Sequence, residues 1–106
     1  MTTSDMSETN RVIRHERMAD TAAHYLGLQL TLLRTTRGLS VPTLARKSRV
    51  PQRLILKIEA GKVFEDDDVT TEHLCRLADV FDLAFEARLV PYSTFIPPTH
   101  AQENTV

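Results

Sequence analysis

The feature that most constrains the fold of this chain is a gap of three residues between two short stretches with a helical pattern. The first stretch follows Ser40 and ends near Ser48, and the second begins at Gln52. Ser40 is a good N-cap, Pro42 is tolerated in a first helical turn, and Pro51 suits the first position of the next helix. A connection this short allows only a tight turn, so the sequence predicts two short helices joined by one.

Apolar residues at helical spacing predict which faces of these two helices are buried. The inward positions are Leu44, Ala45, Leu54, Ile55 and Ile58. Gly61 ends the second helix. The outer side of that helix then carries Gln52, Arg53, Leu56 and Lys57.

Upstream, the sequence predicts further helical structure. Residues 1–9 are polar and are expected to be mobile, whereas residues 10–24 contain no Gly or Pro and predict a helix. The helical pattern is clearer over residues 25–36, where the apolar stripe is formed by Tyr25, Leu28, Leu32 and Leu33. Gly38 ends this helix as a C′ residue.

Downstream, the sequence predicts one more helix. Thr70 or Thr71 is its N-cap, and its apolar stripe consists of Leu74, Leu77, Ala78 and Phe81. Cys75 lies within this pattern and is expected to be a buried small hydrophobic residue.

The apolar period then changes to two. Over residues 84–90, Phe85, Ala87 and Leu89 alternate with polar residues, which predicts a half-exposed β-strand. A single strand needs a partner. Antiparallel pairing with the same strand of a second copy gives a homodimer, and the alternative is a strand folded against the chain's own helices. Three prolines, Pro91, Pro97 and Pro98, are expected to mark the end of the folded part.

Length and charge distribution give the organisation of the chain. The 106 residues, 42% of them hydrophobic, are enough for one small domain. We divide them into an N-terminal arm with a helix (1–24), a helical domain (25–83) and a strand with a flexible tail (84–106). A net charge of −1 hides eight Lys/Arg against one acid over 34–62, and eight acids against one base over 63–86. Local charge decides what a surface can bind.

Several kinds of chemistry lack support in the sequence. The single cysteine excludes an internal disulfide, and the four histidines have no metal-ligand spacing. There is no nucleophile–base set and no phosphate loop, so we expect neither an enzyme nor a cofactor. No apolar run approaches the roughly 20 residues that span a bilayer, so a cytoplasmic protein without a membrane partner is expected.

With these helices and their turn, residues 28–83 resemble the Cro and phage-repressor type (XRE-like) regulators. The matching residues are Leu33, Arg34, Arg37, Gly38, Leu39, Ser40, Leu44, Ala45, Val50, Ile55, Ile58, Glu59, Gly61, Leu74, Leu77 and Ala78. The resemblance implies an all-α, phage-repressor-like bundle of four or five helices with a helix-turn-helix. The segment from Phe85 to Pro91 also looks like the strand of small antitoxin-like members.

The resemblance implies a sequence-specific transcriptional regulator, a repressor that reads the major groove of double-stranded operator DNA with helix 51–60. Arg suits guanine, Gln suits adenine, and Lys57 can reach a base or a phosphate. The expected DNA-binding residues are Val41, Thr43, Arg49, Pro51, Gln52, Arg53, Leu56, Lys57 and Lys62. The alternative interpretation is a merely solvated basic face.

Arg34 and Glu59 are expected to have a structural role. In related proteins the matching residues form an ion pair between the first helix and the recognition helix. Glu59 is the only acid over residues 34–62, and an unpaired acid beside phosphates would oppose DNA binding. We therefore predict an ion pair between them.

The chain also departs from the family pattern. Val41 stands where the family commonly has Gln, Arg49 where it has a turn Gly with positive φ, and Leu56 where it has small polar residues. These departures favour a second function, an antitoxin-like protein-interaction module with weakened DNA binding and a toxin or other protein as partner. The acidic run 65–68 is predicted to be either a solvated loop, turned away from DNA, or a docking site for a basic partner.

Overall fold

The structure, a computed structural model, describes residues 2–65 and 67–94. Four α-helices follow one another: α1 (Thr2–Thr36), α2 (Val41–Ser48), α3 (Gln52–Glu59) and α4 (Thr71–Val80). Two short 3-10 helices lie at Val63–Glu65 and Tyr92–Thr94. The described part contains no strand, which confirms the all-α class for those residues. Pro97 and Pro98, the tail from residue 95 onward, and Asp66 lie outside the described residues.

Helix α1 continues without a break through residue 24, where the sequence analysis places the boundary between the N-terminal arm and the helical domain. Residues 2–9, expected to be mobile, are also helical. At about 1.5 Å per residue the helix is roughly 52 Å long. Between residues 10 and 22 only Met18 and Thr21 are even half-buried, so the N-terminal half extends beyond the core.

The buried face of α1 differs from the predicted apolar stripe. Tyr25, Leu28 and Leu32 are exposed, and only Leu33 of the predicted set packs against the core. Ala23 and Leu30 are buried instead. The prediction was wrong because α1 carries two neighbouring apolar stripes of the same helical period, and periodicity alone does not show which of them faces the rest of the bundle.

The core lies between the four helices: α1 packs against α3, and α2 packs against both α3 and α4. Its buried apolar residues are Ala23, Leu30, Leu44, Val50, Leu54, Ile55, Ile58, Val63, Leu77 and Phe81. Helix α1 approaches α3 closely at Gly27, where an added Cβ would overlap the carbonyl oxygen of Ile58. The absence of a side chain at Gly27 therefore sets the distance between these two helices.

Local signals set the helix ends as the sequence predicts. Gly38 and Gly61 have φ of 68° and 78° and follow α1 and α3. The Ser40 side chain caps α2, and Thr70 caps α4 in a capping box with His73. Cys75 on α4 is exposed, contrary to expectation, because it lies beside the buried stripe of that helix and not within it.

The predicted strand over 84–90 is not confirmed. Residues 83–91 have no regular secondary structure, and no described backbone–backbone hydrogen bond involves residues 84–90. A strand exists only through a ladder with a neighbour, and the single chain offers none here. The segment instead follows α1 back toward its N-terminal half, where the Arg14 guanidinium lies 3.6 Å from the centre of the Tyr92 ring.

Candidate nucleic-acid interface

Helix α3 has two faces of opposite character. Leu54, Ile55 and Ile58 are buried and fix the helix to the core, as the sequence predicts. The outer face carries four other side chains: Gln52, Arg53 and Leu56 are exposed, and Lys57 is half-buried. An eight-residue helix held by one buried face presents these side chains on a rigid support.

The turn between α2 and α3 is held by backbone and side-chain hydrogen bonds. Arg49 adopts the left-handed conformation, with φ of 61°, and its N–H donates to the Ala45 carbonyl at 2.8 Å. The Val50 N–H donates to Ser48 Oγ at 3.2 Å. The Arg76 side chain reaches from α4 and donates to the Arg49 carbonyl at 3.3 Å. Arg49 therefore has a backbone conformation that glycine adopts more readily than a residue with a side chain.

Arg34 and Glu59 form the predicted ion pair between α1 and α3. Arg34 Nε donates to Glu59 Oε2 at 2.7 Å and Nη2 donates to Oε1 at 3.0 Å, while Nη1 donates to the Leu39 carbonyl at 2.9 Å. The two side chains are only 17% and 11% exposed. The hydrogen bonds to Glu59 raise the pKa of Arg34 above its ordinary value. The negative charge of Glu59 is therefore balanced by the positive charge of Arg34 at a site with little exposure to solvent.

The acidic segment is not turned wholly away from α3. Arg53 Nη2 donates to Asp68 Oδ2 at 3.0 Å, although 64% and 56% of these side chains remain exposed. Asp68 thus lies beside a side chain predicted to contact a base. The expectation of an acidic surface facing elsewhere is wrong at this residue, because Asp68 contacts a side chain on the outer face of α3.

The structure places the other predicted DNA-binding residues unevenly. Val41 packs against the core, so its side chain has little to offer a ligand. Thr43 is half-buried, and its hydroxyl accepts a hydrogen bond from Ser40 Oγ at 2.9 Å. Pro51 is exposed beside Gln52. Lys62 is exposed but follows the far end of α3, about 12 Å along the helix axis from its start.

Sequence reasoning missed Arg76. This residue pairs with Glu72 one turn earlier on α4 and also bonds the turn at Arg49. The i,i+4 spacing of Glu72 and Arg76 is a signal for their ion pair. No sequence signal connects Arg76 with Arg49, because they are 27 residues apart.

The described residues contain no group of three or more His, Cys, Asp or Glu that could hold a metal ion. None of the described helices combines the length and the apolar character needed to cross a membrane. Comparisons with protein-family models, curated proteins and solved structures found no match to this chain. The function is therefore argued from the geometry of α2, α3 and their neighbours.

Proposed function

We propose that this chain is a sequence-specific DNA-binding transcriptional regulator, a repressor acting in the cytoplasm. The observation that carries the proposal is the outer face of α3, which presents Gln52, Arg53 and Lys57 while Leu54, Ile55 and Ile58 hold the opposite face in the core. A rigid helix with such a face fits the major groove, where Arg and Gln can each bind one base through two hydrogen bonds. Helices α2 and α3 would form the helix-turn-helix.

The distribution of charge supports a DNA contact through the outer face of α3. Residues 34–62 carry one acid, Glu59, and its pair with Arg34 removes it from the outer face. Arg46, Lys47 and Arg49 are exposed at the end of α2 and in the turn. Exposed cations at this place can bind backbone phosphates, which fix the register of a protein on the duplex without reading its sequence.

We further propose a homodimer joined through residues 84–90. The backbone of this segment makes no described backbone–backbone hydrogen bond, and the Leu89 side chain is fully exposed at 101%. Pairing with the same segment of a second copy would supply both a ladder and apolar contact. Two recognition helices could then bind half-sites about one helical turn, or ~34 Å, apart.

The proposal is tested by titrating the protein with DNA from its own upstream region and with a scrambled duplex, over a series of salt concentrations. We expect tighter binding to the upstream DNA and a linear fall of log K with log salt, whose slope reports the number of phosphates neutralised. Equal affinity for both duplexes would contradict sequence-specific recognition. The absence of salt-dependent binding would contradict DNA binding altogether.

A second function, an antitoxin-like protein-interaction module, is favoured by three observations. Val41 packs into the core, Leu56 is exposed in the middle of the outer face, and Asp68 occupies part of Arg53. Each reduces what this surface can offer to DNA. Co-expression with the product of the adjacent open reading frame distinguishes the two functions. The interaction module would be favoured if the two proteins form a complex and if neither this complex nor the protein alone binds the upstream DNA.

A further inference from the structure

We infer that Asp68 is a positioning residue for Arg53, so that the acidic loop raises the sequence specificity of the basic helix. This inference rests on the proposed DNA binding and goes beyond it by assigning a specificity role to a residue outside α2 and α3. It gives a role to one acid, Asp68, of the acidic run 65–68 that follows α3 in the chain.

The contact between the two side chains leaves most of Arg53 available. Only Nη2 donates to Asp68, at 3.0 Å, and no other hydrogen bond or ion pair of Arg53 is present among the described residues. A guanidinium has five N–H groups, so the second hydrogen of Nη2 still forms a free fork with either Nη1 or Nε. Such a fork can donate two hydrogen bonds to O6 and N7 of guanine.

The loop is anchored on both sides of Asp68. Val63 is buried at its start, and Val69 packs against the core just before Thr70, which caps α4 in a capping box with His73. Asp68 directly precedes Val69, so its backbone lies one residue from a position held against the core. Asp68 therefore remains beside Arg53 when a duplex approaches.

The consequence differs between a cognate site and other DNA. A long, exposed arginine side chain loses conformational freedom when it binds, and a side chain already held in place loses less. At the cognate base pair Arg53 keeps its bond to Asp68 and uses the free fork. On other DNA it must either leave Asp68 to reach a phosphate or forgo the contact. Asp68 thus raises the ratio of specific to non-specific affinity.

The test selects preferred sites from a library of random duplexes with four proteins: wild type, Asp68→Ala, Asp67→Ala and Arg53→Ala. Asp67 is the matched control because it is an exposed acid of the same loop without the bond to Arg53. We expect Asp68→Ala and Arg53→Ala to relax the preference at the same base pair, and Asp67→Ala to leave it unchanged. Affinities for the selected and a scrambled duplex then give the specificity ratio. It should fall about two- to tenfold in Asp68→Ala, the range for ordering one flexible side chain.

Two further variants separate positioning from charge or folding. Asp68→Glu should restore part of the ratio, and in an Arg53→Ala background Asp68→Ala should leave the ratio unchanged. The inference is overturned, with DNA binding intact, if Asp68→Ala tightens binding to both duplexes equally or relaxes no base pair. If neither wild type nor Asp68→Ala binds any duplex, the proposed function and this inference both fail.

Discussion

At the scale of the residue, the two arginines that contact α3 or lie on it have opposite roles, although both pair with an acid. Arg34 makes three hydrogen bonds with little solvent around it, whereas Arg53 makes one and is mostly exposed. Removing one partner of a largely buried ion pair strongly destabilises the folded protein, whereas an exposed ion pair contributes little to stability. Arg34 therefore acts in folding, whereas the side chain of Arg53 is placed to make the proposed contact with DNA.

Removing the Arg53 side chain should affect recognition without affecting the fold. We expect Arg53→Ala to weaken cognate binding by about 1–3 kcal/mol and to relax one base pair. Lys62→Ala is the comparison, since the loss of a phosphate contact should weaken binding to the cognate and the scrambled duplex alike. Binding titrations on both duplexes measure this. Equal losses for Arg53→Ala on the two duplexes would assign Arg53 to a phosphate.

Glu59→Ala should act on stability instead. The variant leaves the Arg34 guanidinium with only the Leu39 carbonyl as a partner, so we expect a loss of roughly 2–4 kcal/mol in the free energy of unfolding. Glu72→Ala breaks a largely exposed pair with Arg76 and should cost under about 1 kcal/mol. Denaturant unfolding measures both. A Glu59→Ala protein as stable as Glu72→Ala would show that the Arg34–Glu59 pair does not stabilise the fold.

The pH dependence of this stabilisation follows from the raised pKa of Arg34. A cationic group whose pKa is higher in the folded state stabilises fully below its unfolded pKa and loses that contribution as pH rises through the folded value. Since arginine titrates only in strongly basic solution, the contribution of Arg34 should stay constant through neutral pH.

At the scale of the element, the turn between α2 and α3 combines strain with an exposed charge. Arg49 holds a left-handed conformation that costs a residue with a Cβ on the order of 1 kcal/mol. Arg49→Gly should therefore raise the free energy of unfolding by about 0.5–1 kcal/mol and lower DNA affinity by removing a phosphate contact. Thermal unfolding and DNA titration measure the two effects.

Asp82, just after α4, gives a matched control because its φ is 58°. Asp82→Gly should give a similar gain in stability and leave DNA affinity unchanged. If Arg49→Gly bound DNA as tightly as wild type, the Arg49 side chain would have no part in the interface.

The packing of α1 on α3 makes a second prediction at this scale. In an isolated helix Gly27→Ala would be favourable by about 0.5–1 kcal/mol. Here the new Cβ meets a backbone carbonyl of α3 that cannot rotate away, so we expect net destabilisation of about 1–2 kcal/mol. Ala22→Gly, at an exposed site of α1, should show only the helix-propensity cost of about 0.5–1 kcal/mol. A more stable Gly27→Ala protein would mean that α1 and α3 can separate without cost.

At the scale of the whole molecule, residues 84–90, which are exposed except for the half-buried Phe85, leave apolar surface uncovered, as do Val12 and Ile13 of α1. Ala87→Pro removes a backbone donor, so the proposed ladder between two copies should weaken. We expect monomers with unchanged helical circular dichroism and lower operator affinity, measured by sedimentation and titration. If Ala87→Pro sediments as wild type and still binds the operator, the dimer is built elsewhere.

The sequence by itself determined the ends of α2 and α3, the start of α4 and the inward face of α3. Caps such as Ser40 and Thr70 and the glycines at 38 and 61 act on residues within one helical turn, so their effects are visible in neighbouring letters. The Arg34–Glu59 pair was predictable only through a family resemblance, because its partners are 25 residues apart.

Tertiary structure alone decided which stripe of α1 is buried, why position 27 must be glycine, and which acid meets Arg53. Each of these depends on where one element lies relative to another that is distant in the chain. It also left residues 84–90 without a strand, although the alternating pattern favours one. The physical reason is that side-chain periodicity is a property of one segment, whereas burial, close approach and ladder hydrogen bonds each require a second segment in a particular place.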